Sequence, residues 1–407
     1  MILWASGTVI ALAFVIFGLI VPDEGSVPFF VLLALASAGY FAALRQVANG
    51  LRPSRRALIA CAALALAWRI PLLLAPPERD ADVRRYVWDA HLVRAGISPW
   101  TVVPADPAFA HLRTAQSWPV NNADVPSPYP PGAQLFFLAA TALNESTRAL
   151  KVAALVCEAL LALVVWRSAA NPGWALAVLW SPLMSLEVAR HGHVDVVGAL
   201  FVAFAAFVLA RGRTLLGSIA FSLSIAVKPL PIVLLPLLWR RVPFRHVVAA
   251  FAVLVVVYLP FRHGGSVPEV VDRFRFNGPI FLTVASLAHP AAAAALAIAA
   301  GLGVAAWERR RLPLASPQAW AWPMAAALLC APMIYPWYLV WLAPFLVTLE
   351  TLPLTIWTVS ILATYAAWLR LGATWAVPAW ALAVEYGALA CAAAWVWRRG
   401  RLQLSAP

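Results

Sequence analysis

Charge is scarce in this 407-residue chain. Only 12% of residues are Asp, Glu, Lys or Arg, against about 25% in an ordinary soluble domain. With 63% hydrophobic residues and a mean hydropathy of +0.82, that deficit excludes a soluble globular protein. The two-residue alternation of a lipid-facing strand is missing, which excludes a β-barrel. Apolar runs of roughly 17–25 residues recur instead, the length at which a helix crosses a bilayer with its backbone satisfied internally. Cysteine is sparse: Cys61, Cys157, Cys330 and Cys391 lie far apart in apolar runs, without a CxxC pair or a disulfide framework, and read as small buried hydrophobes. Lysine is nearly absent, with Lys151 and Lys228 the only ones among 30 basic residues. No internal repeat and no soluble domain interrupts the apolar pattern. The net charge of +13 comes from arginines in short loops, the distribution that orients membrane proteins. A basic face with interleaved polar contacts is missing, so nucleic acid is not an expected partner.

What is there is an all-α polytopic membrane chain, read as one transmembrane domain over 1–407 with about 12–14 hydrophobic segments, some too short to cross. The first spans are expected near Leu3–Val21, Phe29–Leu44 and Ala57–Ala75, with the amino-terminal one retained rather than cleaved. Arg45, Arg52, Arg55 and Arg56 place the second connection in the cytoplasm. The stretch 76–131 is then an outer loop, and it holds Glu78, Asp80, Asp82, Asp89, Asp106 and Asp124, six of the 17 acidic residues. From Asp80 to Ala95 there is neither Gly nor Pro, and Gly96 follows, which predicts a helix. It carries Asp82, Tyr86 and Asp89 on one face with Arg85 beside them, and is expected to lie on the membrane as an interfacial amphipathic helix. Residues 98–131 are too proline-rich for regular structure. The run 132–143 is expected to return to the cytoplasm, where Arg148 and Lys151 sit, and 152–166 to go out again. Residues 171–195 read as a re-entrant or tilted piece holding His191, His193 and Asp195 at the outer side. Thr214–Trp239 breaks at Lys228-Pro229, as a broken pair with Lys228 near its apex or as one kinked span with an orientation exception. A second outer loop spans 262–280. Glu308–Arg311 and Arg398, Arg399 and Arg401 lie inside.

Ionisable groups at membrane depth are costly and are candidates for function. Asp82 is a candidate general base or simply an acid favouring its helix N-terminus. Asp89 pairs as readily with Arg85 as with a ligand. His191-Gly192-His193 has metal-ligand spacing without an HExxH companion, and a helix cap by Asp195 or a substrate hydrogen-bond site competes with a metal. Lys228 before a proline offers a cation and free backbone donors to a phosphate, or snorkels. Tyr129–Gly132 and Tyr335–Tyr338 are interfacial aromatic belts or platforms for a sugar.

In order, these pieces resemble the GT-C class of integral-membrane glycosyltransferases, in particular bacterial mannosyltransferases with a polyprenyl-phosphate sugar donor. The resemblance rests on Asp82, Arg85-Tyr86, Trp88-Asp89-Ala90, Gly96 to Trp100, Tyr129-Pro130-Pro131, Gly192 to Asp195, Lys228-Pro229 and Pro336-Trp337-Tyr338, from about residue 78 to 345. Ala81, Ala90 and Trp100 depart from the family's acid, glycine and tyrosine, leaving open which of Asp80, Asp82 and Asp89 is the base and which sugar is bound. The resemblance implies single-displacement, inverting transfer of a sugar, mannose first, to a lipid- or glycan-linked hydroxyl at the outer face of the plasma membrane. Lys228 and Arg262 would hold the donor phosphate. Arg85, Tyr86, Tyr129, His191, His193, Asp195, Tyr335, Trp337 and Tyr338 would bind substrate. No cofactor is implied; a divalent metal is compatible with this chemistry but not required. A transporter or flippase of lipid-linked sugars is the competing class.

Overall fold

In the computed structural model, residues 1–77, 81–261, 274–370 and 376–404 are described, the side chains of 370 and 400–404 excepted. Glu78, Asp80 and Arg262 therefore lie outside the described residues, as does most of the second outer loop. The fold is all-α; among the described residues the only β-pairing is an isolated bridge between Phe276 and Met333. Eight helices among them are long and apolar enough to cross a membrane: Ile2–Ile20, Val27–Ala48, Arg55–Leu74, Thr147–Ser168, Phe244–Phe261, Pro290–Arg311, Leu349–Leu369 and Ala379–Arg399. Three shorter apolar helices, Pro131–Ala140, Asp195–Leu209 and Thr214–Val227, join them. Large apolar side chains such as Leu12, Ile16, Leu35, Leu66 and Ile70 stand exposed on the long helices, a belt that water would not tolerate and lipid does. Serine caps the ends where backbone donors would be orphaned: Ser26 accepts from Phe29 N, Ser54 from Ala57 N and Ser146 from Ala149 N.

The bundle has two chemically distinct ends. At one, arginines and amides close the helix termini. Asn171 Nδ2 donates to Leu51 O at 2.9 Å, Arg211 to Arg167 O at 3.2 Å, and Arg241 to Leu312 O at 2.9 Å. At the other end stand Glu24, the helix Asp82–Arg94, His191 to Asp195, Lys228 and Tyr365. Between the ends, Arg69 on Arg55–Leu74 forms a buried pair with Glu158 on Thr147–Ser168.

Two expectations about the path are corrected. Pro131–Ala140 has ten residues, about 15 Å of helix, half of a bilayer's hydrocarbon thickness. Its far end turns back against Asp82–Arg94: Arg94 donates to Leu138 O at 3.0 Å and bonds Glu145 at 2.9 Å, and His91 meets Glu145 at 2.6 Å. Lys151 is buried and donates to Ala75 O at 3.2 Å, so Arg148 and Lys151 belong to the Asp82 end and not to the arginine-rich one. Thr147–Ser168 consequently runs the other way. The second correction restores the register. Residues 172–190 form a chain of short pieces, Pro172–Ala175, Leu176–Leu179, Pro182–Met184 and Ser185–Arg190, that leads from Leu51 at one end to Glu24 at the other. It traverses the bundle rather than re-entering.

The helix Asp82–Arg94 is the third correction. Its amphipathic face is covered by protein and not by lipid: Val83, Arg85, Tyr86, Val87, Trp88, Asp89, Ala90 and Leu92 are all buried. Its apolar side, Trp88 and Leu92, packs under the irregular loop with Val102 and Val120. Its other side enters the main core through Val83, Tyr86 and Val87. The loop supplies a protein cover that the amphipathic pattern alone assigns to lipid.

Candidate active site

Asp82 opens its helix, with the side chain 16% exposed. One carboxylate oxygen accepts from Asn121 Nδ2; the other accepts from the Tyr129 hydroxyl at 3.0 Å and lies 3.8 Å from His193 Nε2. His193 stacks on Trp337 at 4.2 Å, and Trp337 stacks on Tyr335 at 4.5 Å. Tyr338 packs edge-on to Trp337 and lies 4.7 Å beneath the Lys228 ammonium. Lys228, 18% exposed, is held by both oxygens of Asp195 at 2.7 and 2.8 Å. Asp82 and Lys228 thus stand on one continuous wall of His193, Trp337 and Tyr338.

Local sequence explains how these groups reach one another. Lys228 terminates Thr214–Val227, its extended backbone followed by Pro229, which cannot continue the hydrogen-bond ladder. Gly132 abuts the backbone of Ala226 so closely that a Cβ would lie 2.6 Å from its carbonyl carbon; the Tyr129–Gly132 motif thereby docks against the end that carries Lys228. Gly198 performs the same service for Trp341, whose indole would collide with any side chain there. Trp341 Nε1 donates to Asp195 Oδ1 at 2.8 Å, so Asp195 is oriented from a second direction and does not merely cap its helix.

Tyr86 lies between the two acids. Its ring stacks on Phe137 at 4.2 Å and meets Tyr129 edge-on at 5.0 Å. Burial first, and then the carboxylates of Asp82 and Asp195, push its phenol well above the ordinary range, so it acts as a neutral group. Arg85 turns away from this wall: it donates to the carbonyls of Asn121, Asn122 and Val125 and fastens the loop whose Asn121 bonds Asp82. The expected Arg85–Asp89 pair is replaced by this arrangement. Asp89 is fully buried apart from the wall, accepting from Ser127 and from Gln134 Nε2 at 2.9 Å. Burial raises its carboxyl to about 6 against the pull of Arg85, Ser127 and Gln134. Its place is that of a post for the 127–134 turn, out of reach of a substrate.

His191 faces away from Lys228, toward a second polar cluster that sequence reading missed. Glu187, His191 and His193 each bring a donor atom within 4.8 Å of the others. Glu24 bonds His191 Nε2 at 3.1 Å, and the Tyr365 hydroxyl donates to Glu187 Oε1 at 2.8 Å. The segment Ser185–Arg190 is π-helical, a form often found at functional sites. Its wide turn brings His191 N to Leu186 O at 3.0 Å and leaves Glu187 beneath both imidazoles. Burial raises the Glu24 carboxyl to about 7, with Arg190 and His193 pulling the other way. Glu187 had a signal, four residues before His191. Glu24, Tyr365, Asn121 and Trp341 come from distant loops and spans with no local motif.

A family profile described as Alpha-(1->6)-mannopyranosyltransferase, N-terminal domain, matches residues 8–242. The chain belongs to this family. The match contains Glu24, Asp82, Glu187, His191, His193, Asp195 and Lys228, while Trp337, Tyr338, Trp341 and Tyr365 lie beyond it. Alpha-(1->6)-mannopyranosyltransferase Rv1459c of Mycobacterium tuberculosis (strain ATCC 25618 / H37Rv) is 32% identical over 140 residues, 31% of this chain. The aligned part spans 23% of that relative's length. No solved structure matches.

Proposed function

We propose that the protein transfers a mannosyl unit from a polyprenyl-phosphate donor to a hydroxyl of a lipid- or glycan-linked acceptor, inverting the anomeric carbon. The reaction takes place at the Asp82 end of the bundle. The arginine-rich end is cytoplasmic by the positive-inside rule, so the site opens on the outer face of the plasma membrane. The observation that carries the reading is the shared wall on which a partly exposed carboxylate and a partly exposed ammonium stand together.

Asp82 takes the acceptor's hydroxyl proton as that oxygen attacks the anomeric carbon. The bond from that carbon to the phosphate oxygen breaks, and polyprenyl phosphate leaves with the electron pair. Lys228 gives two N–H groups to Asp195; the third serves the leaving phosphate, where charge develops. Arg262 is the second cation of the proposed donor site. The Asp195 pairing keeps the ammonium in place, so little reorganisation is needed at the moment of transfer. Trp337 and Tyr338 offer ring faces to the apolar side of a sugar, and Tyr335 backs Trp337. Tyr129 and Asn121 orient Asp82, and the tyrosine's hydrogen bond keeps it aimed at the acceptor.

Purified protein in detergent or nanodiscs, given polyprenyl-phosphate-mannose and a mannose-terminated lipid acceptor, is expected to form a glycosidic bond. Asp82→Asn is expected to lower kcat by about 10²–10⁴-fold, the usual worth of a general base. Undiminished transfer by Asp82→Asn overturns the assignment of the base. Passage of the lipid-linked sugar across vesicles without bond formation overturns the transferase reading in favour of a flippase.

A further inference from the structure

We propose that Glu187, His191 and His193 form a binding site for one divalent transition metal, zinc in the first place. The donor set and its surroundings, besides proximity, point to it. The donors are two imidazoles and one carboxylate, a set that suits borderline cations such as zinc and leaves a fourth position open. They are already gathered on one side: Glu187 Oε2 is 2.9 Å from His193 Nδ1 and 3.6 Å from His191 Nδ1. Ligand atoms about 2.0–2.2 Å from a tetrahedral metal stand roughly 3.3–3.6 Å apart, so the three donors, now within 4.8 Å of one another, would draw together by about an ångström.

The outer sides of His191 and Glu187 are also held, and that of His193 faces a carboxylate. His191 Nε2 faces Glu24 at 3.1 Å, His193 Nε2 faces Asp82 at 3.8 Å, and Glu187 Oε1 accepts from Tyr365 at 2.8 Å. Metal-binding histidines ordinarily direct the second ring nitrogen to a carboxylate or carbonyl, which fixes the tautomer and strengthens the first nitrogen as a ligand. His191 meets that requirement through Glu24; Asp82 is a nearby carboxylate for His193 Nε2 beyond hydrogen-bond distance, and both rings turn Nδ1 toward Glu187, where the Tyr365 hydroxyl also lies 3.2 Å from that of His191. Three carboxylates, Glu24, Asp82 and Glu187, surround the pair, and the cations Lys151 and Arg190 stand close enough for their charge to act on His191. The metal would tie together the Glu24 turn, the π-helical segment and Tyr365. Through His193 it would also set the position of Asp82. Glu24, Asp82 and Tyr365 are positioning residues in this role.

The inference stands on the donor set and not on the transferase assignment, and its test reads metal directly. Tag-free full-length protein is loaded with zinc, desalted and measured by inductively coupled plasma mass spectrometry. About one zinc per chain is expected. The His191→Ala and Glu187→Gln variants should retain at least ten-fold less, and His111→Ala, which changes an exposed histidine, as much as the wild type. Tyr365→Phe keeps all three ligands and should weaken zinc affinity by about 10–100-fold. Cobalt titration of the unmodified protein supplies a readout that needs no variant to fold: intense visible absorption of low-coordinate Co²⁺ is expected, competed by zinc. Wild-type protein that retains no more zinc than His191→Ala, or that gives only the weak spectrum of six-coordinate cobalt, overturns the proposal. So does binding of magnesium or calcium in place of zinc.

Discussion

Arg69–Glu158 and Asp82–His193 are both polar clusters inside a largely apolar bundle, and they solve the problem of buried charge in opposite ways. Arg69 and Glu158 are almost fully enclosed, at 4% and 3% side-chain exposure, and are consumed by each other: Nε meets Oε2 at 3.0 Å and the same guanidinium also reaches Ala65 O. Nothing is left over for a ligand. Asp82 is surrounded by neutral donors, Asn121 and Tyr129, and by an imidazole at a longer distance, with part of the carboxylate open. A closed pair between two spans tolerates no visitor; an acid braced by neutral groups keeps part of its carboxylate open. The contrast separates fastening from chemistry among residues that a hydropathy profile treats alike.

The comparison can be broken most sharply at its two poles. Arg69→Ala leaves Glu158 without its partner among apolar neighbours, and should destabilise the protein by about 3–5 kcal/mol. The expected observation is a much lower melting temperature in detergent, with nearly normal specific transfer by molecules that remain folded. Asp82→Asn, set beside it, should keep the melting temperature while losing transfer. A variant pair that failed to dissociate stability from turnover in this way would remove the distinction.

A smaller effect sharpens it. Asp89 sits on the same helix as Asp82, but its raised carboxyl belongs to the buried class. Its ordinary value is 3.8 and its folded value about 6, so the folded state holds the proton more tightly. That contribution to stability is complete below about pH 4 and is lost as pH rises through about 6. Asp89→Asn should flatten the decline of melting temperature over that window. An unchanged slope would show that another group titrates there.

Much of this arrangement was readable in advance. Low charge and long apolar runs gave an all-helical membrane chain, because a bilayer leaves the backbone no other economy. The break at Lys228-Pro229 was legible since proline removes a ladder donor, and the ordered motifs marked most of the wall. Three things were not. A length of apolar sequence does not say whether ten residues cross or double back, and that was decided by Glu145 meeting His91 and Arg94 across some fifty positions. The amphipathic face of Asp82–Arg94 could not announce that Val102 and Val120 would cover it. Asp89 had the same local credentials as Asp82, and only Ser127 and Gln134 tell them apart. Glu24 and Tyr365 approach His191 and Glu187 from near the two extremes of the described chain, beyond the reach of any motif.

The half-length helix Pro131–Ala140 also decides where the chain changes compartment. Everything from Ala81 to Thr147 gathers at the Asp82 end of the bundle, and the chain first leaves that end within Thr147–Ser168. With the native cysteines replaced, Leu143→Cys should react with a bilayer-impermeant thiol reagent from the same side as Gly96→Cys, and Gly212→Cys only from the other. Counting positive charges alone would sort Leu143 with Gly212; a doubled-back segment makes a bend resemble a border.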